Sequence, residues 1–324
     1  MLRQFFKDSS IYGASRFLSQ GISLFLVPLY TRVLLPEDYG VIDMIAVFAA
    51  IINLTVALEI SQGVARYLSE VRSEADRIAY ASSGLWFTLG TFGIFAFCAL
   101  YFSDSLTLLL LDSLQWQKVI QVAVISIVLN GLFSLLQSLL RWQLRPKSYV
   151  ISNIVFTLVT TGVASFLVIV MKEGVVGVFY GQIAGAVAGA AISWMFTRKY
   201  LKLFFVWDKC KEMLAFSLPL VPSGIGVFVA NYIDRIAIKN LMTMNDVGLY
   251  GIGFRLAAVT NLLMVGFNGA LTPLIYSNYK KASTPGDLSR IFKYFLALAI
   301  PMVTAISLFS YEILWVFTTP RYYS

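Results

Sequence analysis

Long apolar runs constrain this chain more than any other feature of its sequence. A helix that crosses a lipid bilayer needs about 20 mainly apolar residues. Nine such runs occur, each bounded by charged residues or by proline and glycine, near 11–34, 40–63, 80–103, 118–140, 149–171, 174–196, 213–238, 247–275 and 291–315. The sequence therefore predicts an all-α, polytopic membrane helix bundle with nine spans.

Composition excludes the main alternatives to a membrane protein. Hydrophobic residues make up 58% of the chain and charged residues 13%, whereas soluble domains contain about 45–50% and about 25%. The two cysteines are far apart and histidine is absent. These counts exclude a disulfide framework, a zinc finger and histidine-based acid–base catalysis. We expect no metal and no cofactor.

The basic residues predict how the chain is oriented in the membrane. With the N-terminus in the cytoplasm, 17 of the 25 Lys and Arg residues fall on the cytoplasmic side, five on the outer side and three inside spans. Cytoplasmic loops are enriched in Lys and Arg, so we expect a multi-pass protein of the cytoplasmic (inner) membrane with a cytoplasmic N-terminus. The net charge of +8 then reflects topology, and we expect no nucleic-acid partner.

A short motif recurs 208 residues apart. Asp38 and Gly40 follow the first span, and Asp246 and Gly248 follow the seventh. The order of spans and the sign of the loop charges also match, which predicts two pseudo-symmetric repeats of six spans. The predicted divisions are a six-helix bundle over 1–196, an amphipathic cytoplasmic linker over 197–212, and the first three helices of a second bundle over 213–324. Because nine spans leave the second repeat unfinished, we expect a protein of 12–14 spans, with an intact nine-span protein as the alternative.

Two stretches carry a resemblance to a known family. They are Leu26–Gly40 (LVPLYTRVLLPEDYG), and Ile233–Ile238 (IDRIAI) followed by Val247–Tyr250 (VGLY). Both resemble the polysaccharide-biosynthesis flippases, the Wzx-like O-antigen and exopolysaccharide transporters of the MATE-like (multidrug/oligosaccharidyl-lipid/polysaccharide exporter) superfamily. The resemblance implies a transporter rather than an enzyme, with two six-helix bundles around a central cavity. It implies transfer of an undecaprenyl-pyrophosphate-linked oligosaccharide to the outer leaflet by alternating access. The implied partners are that glycan, membrane lipid, polysaccharide polymerase machinery and, where transport is ion-coupled, H⁺ or Na⁺.

Ionisable residues inside spans are the candidate functional residues, because each costs about 2.5–3.5 kcal/mol on insertion scales and usually faces a cavity or a partner. A guanidinium matches a pyrophosphate, to which it presents a fork of donors. The predicted substrate cavity contains Arg16, Gln20, Asn231, Arg235 and Arg255. Snorkelling to the headgroups is the alternative for Arg16 and also for Arg255, for which a cavity or buried-pair role is favoured.

The candidates for ion coupling are the carboxylates of Asp43, Glu59 and Asp234. Glu59 has a competing interpretation, in which it is solvated or pairs with a loop cation such as Arg66. Neighbouring helical residues point about 100° apart, so we do not expect Asp234 and Arg235 to pair with each other. We expect each to have its own partner.

Two other functions remain open for the sequence. A drug/cation antiporter of the same superfamily is the first alternative, although it should favour acidic residues over arginines in its cavity. A membrane-embedded polysaccharide polymerase is the second, although no outer loop here exceeds about 15 residues. Four glycines at four-residue spacing in the sixth span, Gly177, Gly181, Gly185 and Gly189, predict close helix packing rather than chemistry.

Overall fold

The computed structural model describes residues 21–22, 26–71, 73–143, 145–260 and 284–323. Within these ranges the chain is helical, with short 3₁₀ and π segments and no β-strand. It divides into two compact units. The larger is Val33–Gly248, and the smaller combines Met1–Arg32 with Leu249–Ser324.

The larger unit contains nine helices in its described part, and a tenth crosses its C-terminal boundary. They are α1 (Pro36–Thr55), α2 (Ile60–Glu70), α3 (Glu74–Tyr101), α4 (Ser103–Leu111), α5 (Gln117–Trp142), α6 (Pro146–Ser165), α7 (Gly174–Thr197), α8 (Trp207–Ser217), α9 (Val221–Leu241) and α10 (Met244–Ala257). Single 3₁₀ turns precede α5, follow α7 and join α8 to α9, and a π segment, Phe166–Val170, extends α6.

In the smaller unit, α11 (Thr284–Leu308) and α12 (Ser310–Phe317) are followed by a 3₁₀ turn at Pro320–Tyr322. The Thr319 hydroxyl donates to the Thr31 carbonyl oxygen at 3.3 Å. The Thr31 hydroxyl contacts the Phe317 carbonyl oxygen at 3.4 Å. These two contacts connect the N-terminal and C-terminal segments of this unit.

Seven of the nine predicted spans coincide with helices long and apolar enough to cross a membrane. These are Pro36–Thr55, Glu74–Tyr101, Leu114–Trp142, Pro146–Val170, Gly174–Tyr200, Trp207–Leu241 and Leu288–Leu308. The predicted spans near 11–34 and 247–275 lie partly outside the described residues and stay predictions. The chain is therefore an all-α, multi-pass membrane protein.

The glycine stripe packs as predicted. It lies on α7 and faces α6, where a Cβ at Gly181 would come within 2.7 Å of the Ala164 backbone. A Cβ at Gly185 would meet the side chain of Thr160 and come within 2.8 Å of the Phe156 carbonyl oxygen. Only residues without a side chain permit this approach, which is how helices associate closely in membranes.

The recurring motif has the same local structure at both positions. Asp38 is the third residue of α1 and accepts a hydrogen bond from the Leu35 backbone N–H at 2.8 Å. Asp246 is the third residue of α10 and accepts one from the Thr243 backbone N–H at 3.0 Å. Each aspartate thus satisfies a donor at the start of its helix, where negative charge is favourable.

The glycines of the motif lie at a contact between α1 and α10. A Cβ at Gly40 would overlap the carbonyl oxygen of Met244, and a Cβ at Gly248 would overlap the carbonyl oxygen of Pro36. Met244 lies 208 residues after Pro36, the offset that also separates the two glycines. The contact is therefore reciprocal, as at a twofold axis.

The segment predicted as an amphipathic linker is only partly helical. After a 3₁₀ turn at Arg198–Tyr200, the chain is non-helical until α8 begins at Trp207. The Lys202 backbone N–H donates to the Ser82 hydroxyl at 2.8 Å, and the Val206 N–H donates to Ser83 at 3.0 Å. These bonds replace the helical ones and attach the segment to α3. The division of the chain at 197–212 stays a prediction.

Candidate functional site

A cavity of about 540 Å³ lies inside the larger unit, between α1, α2, α3, α5 and α9. Its lining combines apolar residues with hydroxyl, amide and carboxylate side chains. The polar members are Asn53, Glu59, Ser61, Thr88, Ser134, Asn231 and Tyr232. Four of the five helices belong to segments long and apolar enough to span a membrane. A polar cavity in such a bundle is the usual setting for a transported ligand.

The two amides of the cavity are held in the same way. The Asn53 side-chain amide donates to the Ala49 carbonyl oxygen at 2.8 Å. The Asn231 amide donates to the Val227 carbonyl oxygen at 2.7 Å. An amide has two N–H donors and an acceptor oxygen, so each side chain keeps hydrogen-bonding capacity for a ligand in the cavity.

Glu59 lies where α1 and α2 are interrupted. Leu58 and Glu59 have φ values of 49° and 52°, a left-handed backbone that bulky residues rarely adopt. Arg66, the predicted loop partner of Glu59, instead pairs with Glu70 at 3.0 Å. Glu59 therefore contributes a carboxylate to the cavity lining. Ala57, Leu58 and Glu59 favour a continuous helix by propensity, so no local signal in the sequence indicates this break.

A buried ion pair lies directly beside the cavity. Arg235 Nε and an Asp43 carboxylate oxygen are 3.5 Å apart, and the two side chains are 7% and 6% exposed. Arg235 also donates to the carbonyl oxygen of Asn231, a residue of the cavity lining, at 2.9 Å. The pair joins α1 to α9 across 192 residues of sequence.

The expectation that Asp234 and Arg235 do not pair was wrong. Arg235 Nη1 lies 3.3 Å from an Asp234 carboxylate oxygen. The physical reason is the length of the arginine side chain, which turns back one helical turn to reach the Asn231 carbonyl oxygen. This path brings the guanidinium beside Asp234, although the two Cα–Cβ bonds diverge. Arg235 thus has two carboxylate partners.

A second ion pair on the same helix was missed by sequence reasoning. Lys239 Nζ lies 2.9 Å from an Asp112 carboxylate oxygen and donates to the Leu109 carbonyl oxygen at 3.4 Å. Asp112, at the end of α4, is 66% exposed. The 127 residues between the partners leave no sequence signal for this contact.

The remaining candidates are placed as follows. Asn231 lines the cavity, as does Glu59. Arg255 lies half-buried on α10 in the smaller unit. Arg16 and Gln20 lie outside the described residues. No arginine lines the cavity in the described part of the chain, and the substrate and ion-coupling roles of all eight candidates stay predictions.

Comparison with solved structures supports the fold. An inward-facing multidrug resistance MATE family transporter of the MOP superfamily matches with a TM-score of 0.72 and 18% identity, over 92% of this chain and 72% of that one. An outward-facing multidrug resistance MATE family transporter of the MOP superfamily gives a TM-score of 0.68 and 17% identity, over 97% of this chain and 74% of that one. A MOP superfamily transporter from Pyrococcus furiosus, described as having a binding pocket of reverse polarity, gives 0.60 and 15%, over 97% and 73%.

Comparison with sequences identifies the family. The chain is 23% identical to Lsg locus putative protein 1 of Haemophilus influenzae, over 92% of this chain and 72% of that protein. An uncharacterized membrane protein of the same organism is 22% identical, over 93% and 72%. The profile described as polysaccharide biosynthesis protein matches residues 29–324.

The fold and the family together support a membrane protein of the exporter or flippase class, with the architecture of MATE-type transporters. The chain belongs to the polysaccharide biosynthesis protein family, because the family profile matches most of its length.

Proposed function

We propose that this protein moves an undecaprenyl-pyrophosphate-linked oligosaccharide across the cytoplasmic membrane by alternating access. The observation that carries the proposal is the cavity of about 540 Å³, which has polar side chains among membrane-spanning helices. Its volume lies within the range of about 300–1,000 Å³ that is usual for ligand sites. The match to the polysaccharide biosynthesis family favours a glycan as the cargo.

The chemistry of the lining suits a sugar. Hydroxyl groups of a sugar both donate and accept hydrogen bonds, and Asn53 and Asn231 do the same. Tyr232 adds an aromatic ring, packed against Phe228 with ring centroids 5.4 Å apart, on which an apolar sugar face can lie. Arg16 and Arg255 stay the sequence-based candidates for the counter-charge of the pyrophosphate, since Arg235 is engaged by Asp43 and Asp234.

Alternating access requires that the cavity be closed at one end while it is open at the other. We assign closure to the contact between α1 and α9, where the Asp43–Arg235 pair lies one helical turn beyond Asn231. The predicted topology puts this contact near the outer face of the membrane. On this assignment, the intact ion pair corresponds to the state in which cargo enters from the cytoplasm.

A drug/cation antiporter is the second candidate, and Glu59 is the observation that favours it. Its carboxylate lines the cavity where no arginine does in the described residues, and a carboxylate attracts a cationic drug or a coupling ion. The two functions make opposite demands on this residue. Replacement by glutamine should abolish cation transport, while a glycan needs only the hydrogen bonds that glutamine retains.

Reconstitution tests the proposal directly. The purified chain is inserted into vesicles that contain a fluorescent, short-chain polyprenyl-pyrophosphate oligosaccharide, and translocation is read as protection of the glycan from an added glycosidase. We expect protein-dependent translocation, with ethidium uptake at the level of empty vesicles. The Asn53→Leu and Asn231→Leu variants should each lower the initial rate about tenfold, the effect of about 1.4 kcal/mol of lost hydrogen bonding.

Asn130→Leu is the matched control. The Asn130 amide also donates to the carbonyl oxygen four residues earlier, that of Ser126, at 2.9 Å. Asn130 is not part of the cavity lining. We expect its translocation rate to stay within about twofold of the parent, since a hydrogen bond inside one helix contributes about 1 kcal/mol or less. Equal losses in all three variants would contradict a role for the cavity. Ethidium transport that depends on Glu59, without glycan movement, would establish the antiporter instead.

A further inference from the structure

A second cavity lies at one end of the larger unit, where five helices begin or end. It has a volume of about 310 Å³ and is lined by Leu68, Arg77, Trp142, Gln143, Arg145 and Tyr200. We call it the arginine cavity. Leu68 is near the end of α2, Arg77 is in the first turn of α3, and Arg145 immediately precedes α6. It has no lining residue in common with the cavity of about 540 Å³.

In the described part of the chain, backbone carbonyl oxygens rather than acidic side chains orient the two arginines. Arg77 Nε donates to the Val71 carbonyl oxygen at 3.1 Å. Arg145 Nη1 donates to the Phe196 carbonyl oxygen at 3.1 Å. A guanidinium has five N–H donors, so each keeps donors beyond the one that fixes its position. No carboxylate lines the cavity among the described residues.

The walls of the arginine cavity supply further polar and interfacial groups. The Gln143 side-chain oxygen is buried without a hydrogen-bond partner in the described structure, so it can accept a hydrogen bond from a hydroxyl group of a headgroup. Trp142 is 42% exposed at the end of α5, and tryptophan is typical of the boundary between membrane and water. Leu68 gives the cavity an apolar wall. Cations, an amide and an apolar wall match the headgroup region of a lipid.

We propose that the arginine cavity binds the phosphate of an anionic membrane lipid. Two guanidinium groups recognise a phosphate through charge-assisted hydrogen bonds. A headgroup with a single negative charge and no cation, such as phosphatidylglycerol, satisfies both arginines. The ammonium of a zwitterionic headgroup would instead face two like charges. The inference rests on this cavity alone and does not depend on which cargo the protein transports.

Binding of lipid to the purified, delipidated full chain tests the inference. Fluorescent phosphatidylglycerol, labelled on its acyl chain, is titrated against the chain in neutral detergent, with phosphatidylcholine as the comparison. We expect phosphatidylglycerol to bind at least about tenfold more tightly, and the Arg77→Gln/Arg145→Gln variant to weaken it at least about tenfold. Arg198→Gln is the control, because Arg198 is exposed and does not line the cavity. The affinity of this variant for phosphatidylglycerol should stay within about twofold of the parent.

A second variant keeps the test decisive if loss of both arginines prevents folding. Gln143→Glu preserves size and leaves both arginines in place, but it adds a carboxylate that competes with the phosphate. We expect the same loss of phosphatidylglycerol binding with an unchanged melting temperature. Inorganic phosphate at millimolar concentration should not displace the lipid. If phosphate alone binds as tightly as phosphatidylglycerol, the lipid assignment is overturned. Equal affinity for both lipids, or unchanged binding in Gln143→Glu, would overturn the site itself.

Discussion

Neutralising Asp43 should release the contact between α1 and α9. Arg235 holds Asp43 at 3.5 Å with both side chains almost fully buried, so the Asp43→Asn variant leaves the guanidinium one carboxylate short in a site with little water. Asp234 remains as a partner at 3.3 Å and is 32% exposed. The loss of stability in Asp43→Asn should therefore fall at the lower end of the range for breaking a buried ion pair.

The size of the destabilisation follows from the burial of the Asp43–Arg235 pair. Removal of one partner from a buried ion pair costs about 3–5 kcal/mol, and the retained Asp234 contact places Asp43→Asn near about 3 kcal/mol. If the pair exists only while the contact between α1 and α9 is closed, the same energy shifts the equilibrium toward opening about a hundredfold. The double variant Asp43→Asn/Arg235→Gln should cost less than the sum of its single variants, because it leaves neither charge unpaired.

Cysteine labelling measures the shift. In a variant free of Cys98 and Cys210, a cysteine replaces Val227, which lines the cavity one turn before Asn231, and a charged, membrane-impermeant maleimide is applied from each side. With the ion pair intact, we expect labelling from only one side. Asp43→Asn should accelerate labelling from the opposite side up to about a hundredfold.

Lys239→Gln is the matched control, because it removes an ion pair from the same helix. Its partner Asp112 is 66% exposed, and exposed pairs contribute about 0–1 kcal/mol, so labelling should change less than about fivefold. If Asp43→Asn lowers the melting temperature but leaves the labelling rates of both sides unchanged, the pair stabilises the fold and does not control opening.

Two stability predictions concern other contacts of the larger unit. Gly40→Ala should lower the melting temperature by several degrees, because its Cβ would overlap a backbone carbonyl oxygen that cannot move aside. Gly93→Ala is the control: nothing lies within 4 Å of its Cβ, so the melting temperature should be unchanged or raised. Equal melting temperatures in the two variants would contradict the close contact at Gly40. Tyr80→Phe should cost about 1–3 kcal/mol, because the buried hydroxyl donates to the Glu212 carboxylate. Tyr67→Phe keeps the stacking of the ring at position 67 on the Tyr80 ring, with centroids 4.8 Å apart, and should be near neutral in the same thermal assay. Equal effects of Tyr67→Phe and Tyr80→Phe would refute the contact of the Tyr80 hydroxyl.

The membrane helices were predictable from sequence because their signal is local. A run of apolar residues identifies a span without any knowledge of its neighbours, and seven predicted spans coincide with helices of the structure. The glycine stripe of α7 is also local, since positions four residues apart share a helix face. The interruption at Leu58 and Glu59 was not predictable, because these residues favour a helix and tertiary packing sets their φ values of 49° and 52°.

The candidate site was harder to predict because its contacts are distant in sequence. Charge inside a span singled out Asp43 and Arg235 as costly residues, but only the fold brings them together. Asp234 illustrates a different limit. Helical geometry gave the direction of its Cα–Cβ bond correctly, yet a long arginine side chain can return to a neighbour that the backbone directs elsewhere.

The two predicted repeats match in packing at one contact, but they do not match in buried charge. At the α1–α10 contact, Pro36 and Gly40 have counterparts at Met244 and Gly248, and each glycine lies against the other helix. The same offset of 208 residues relates Asp43 to Gly251 and Arg235 to Val27, and neither counterpart is ionisable. The buried pair between α1 and α9 thus has no symmetric copy. If the predicted repeats move against each other as in alternating access, the Asp43–Arg235 pair contributes to the cost of opening without a symmetric counterpart, so a single substitution at Asp43 is sufficient to test its contribution.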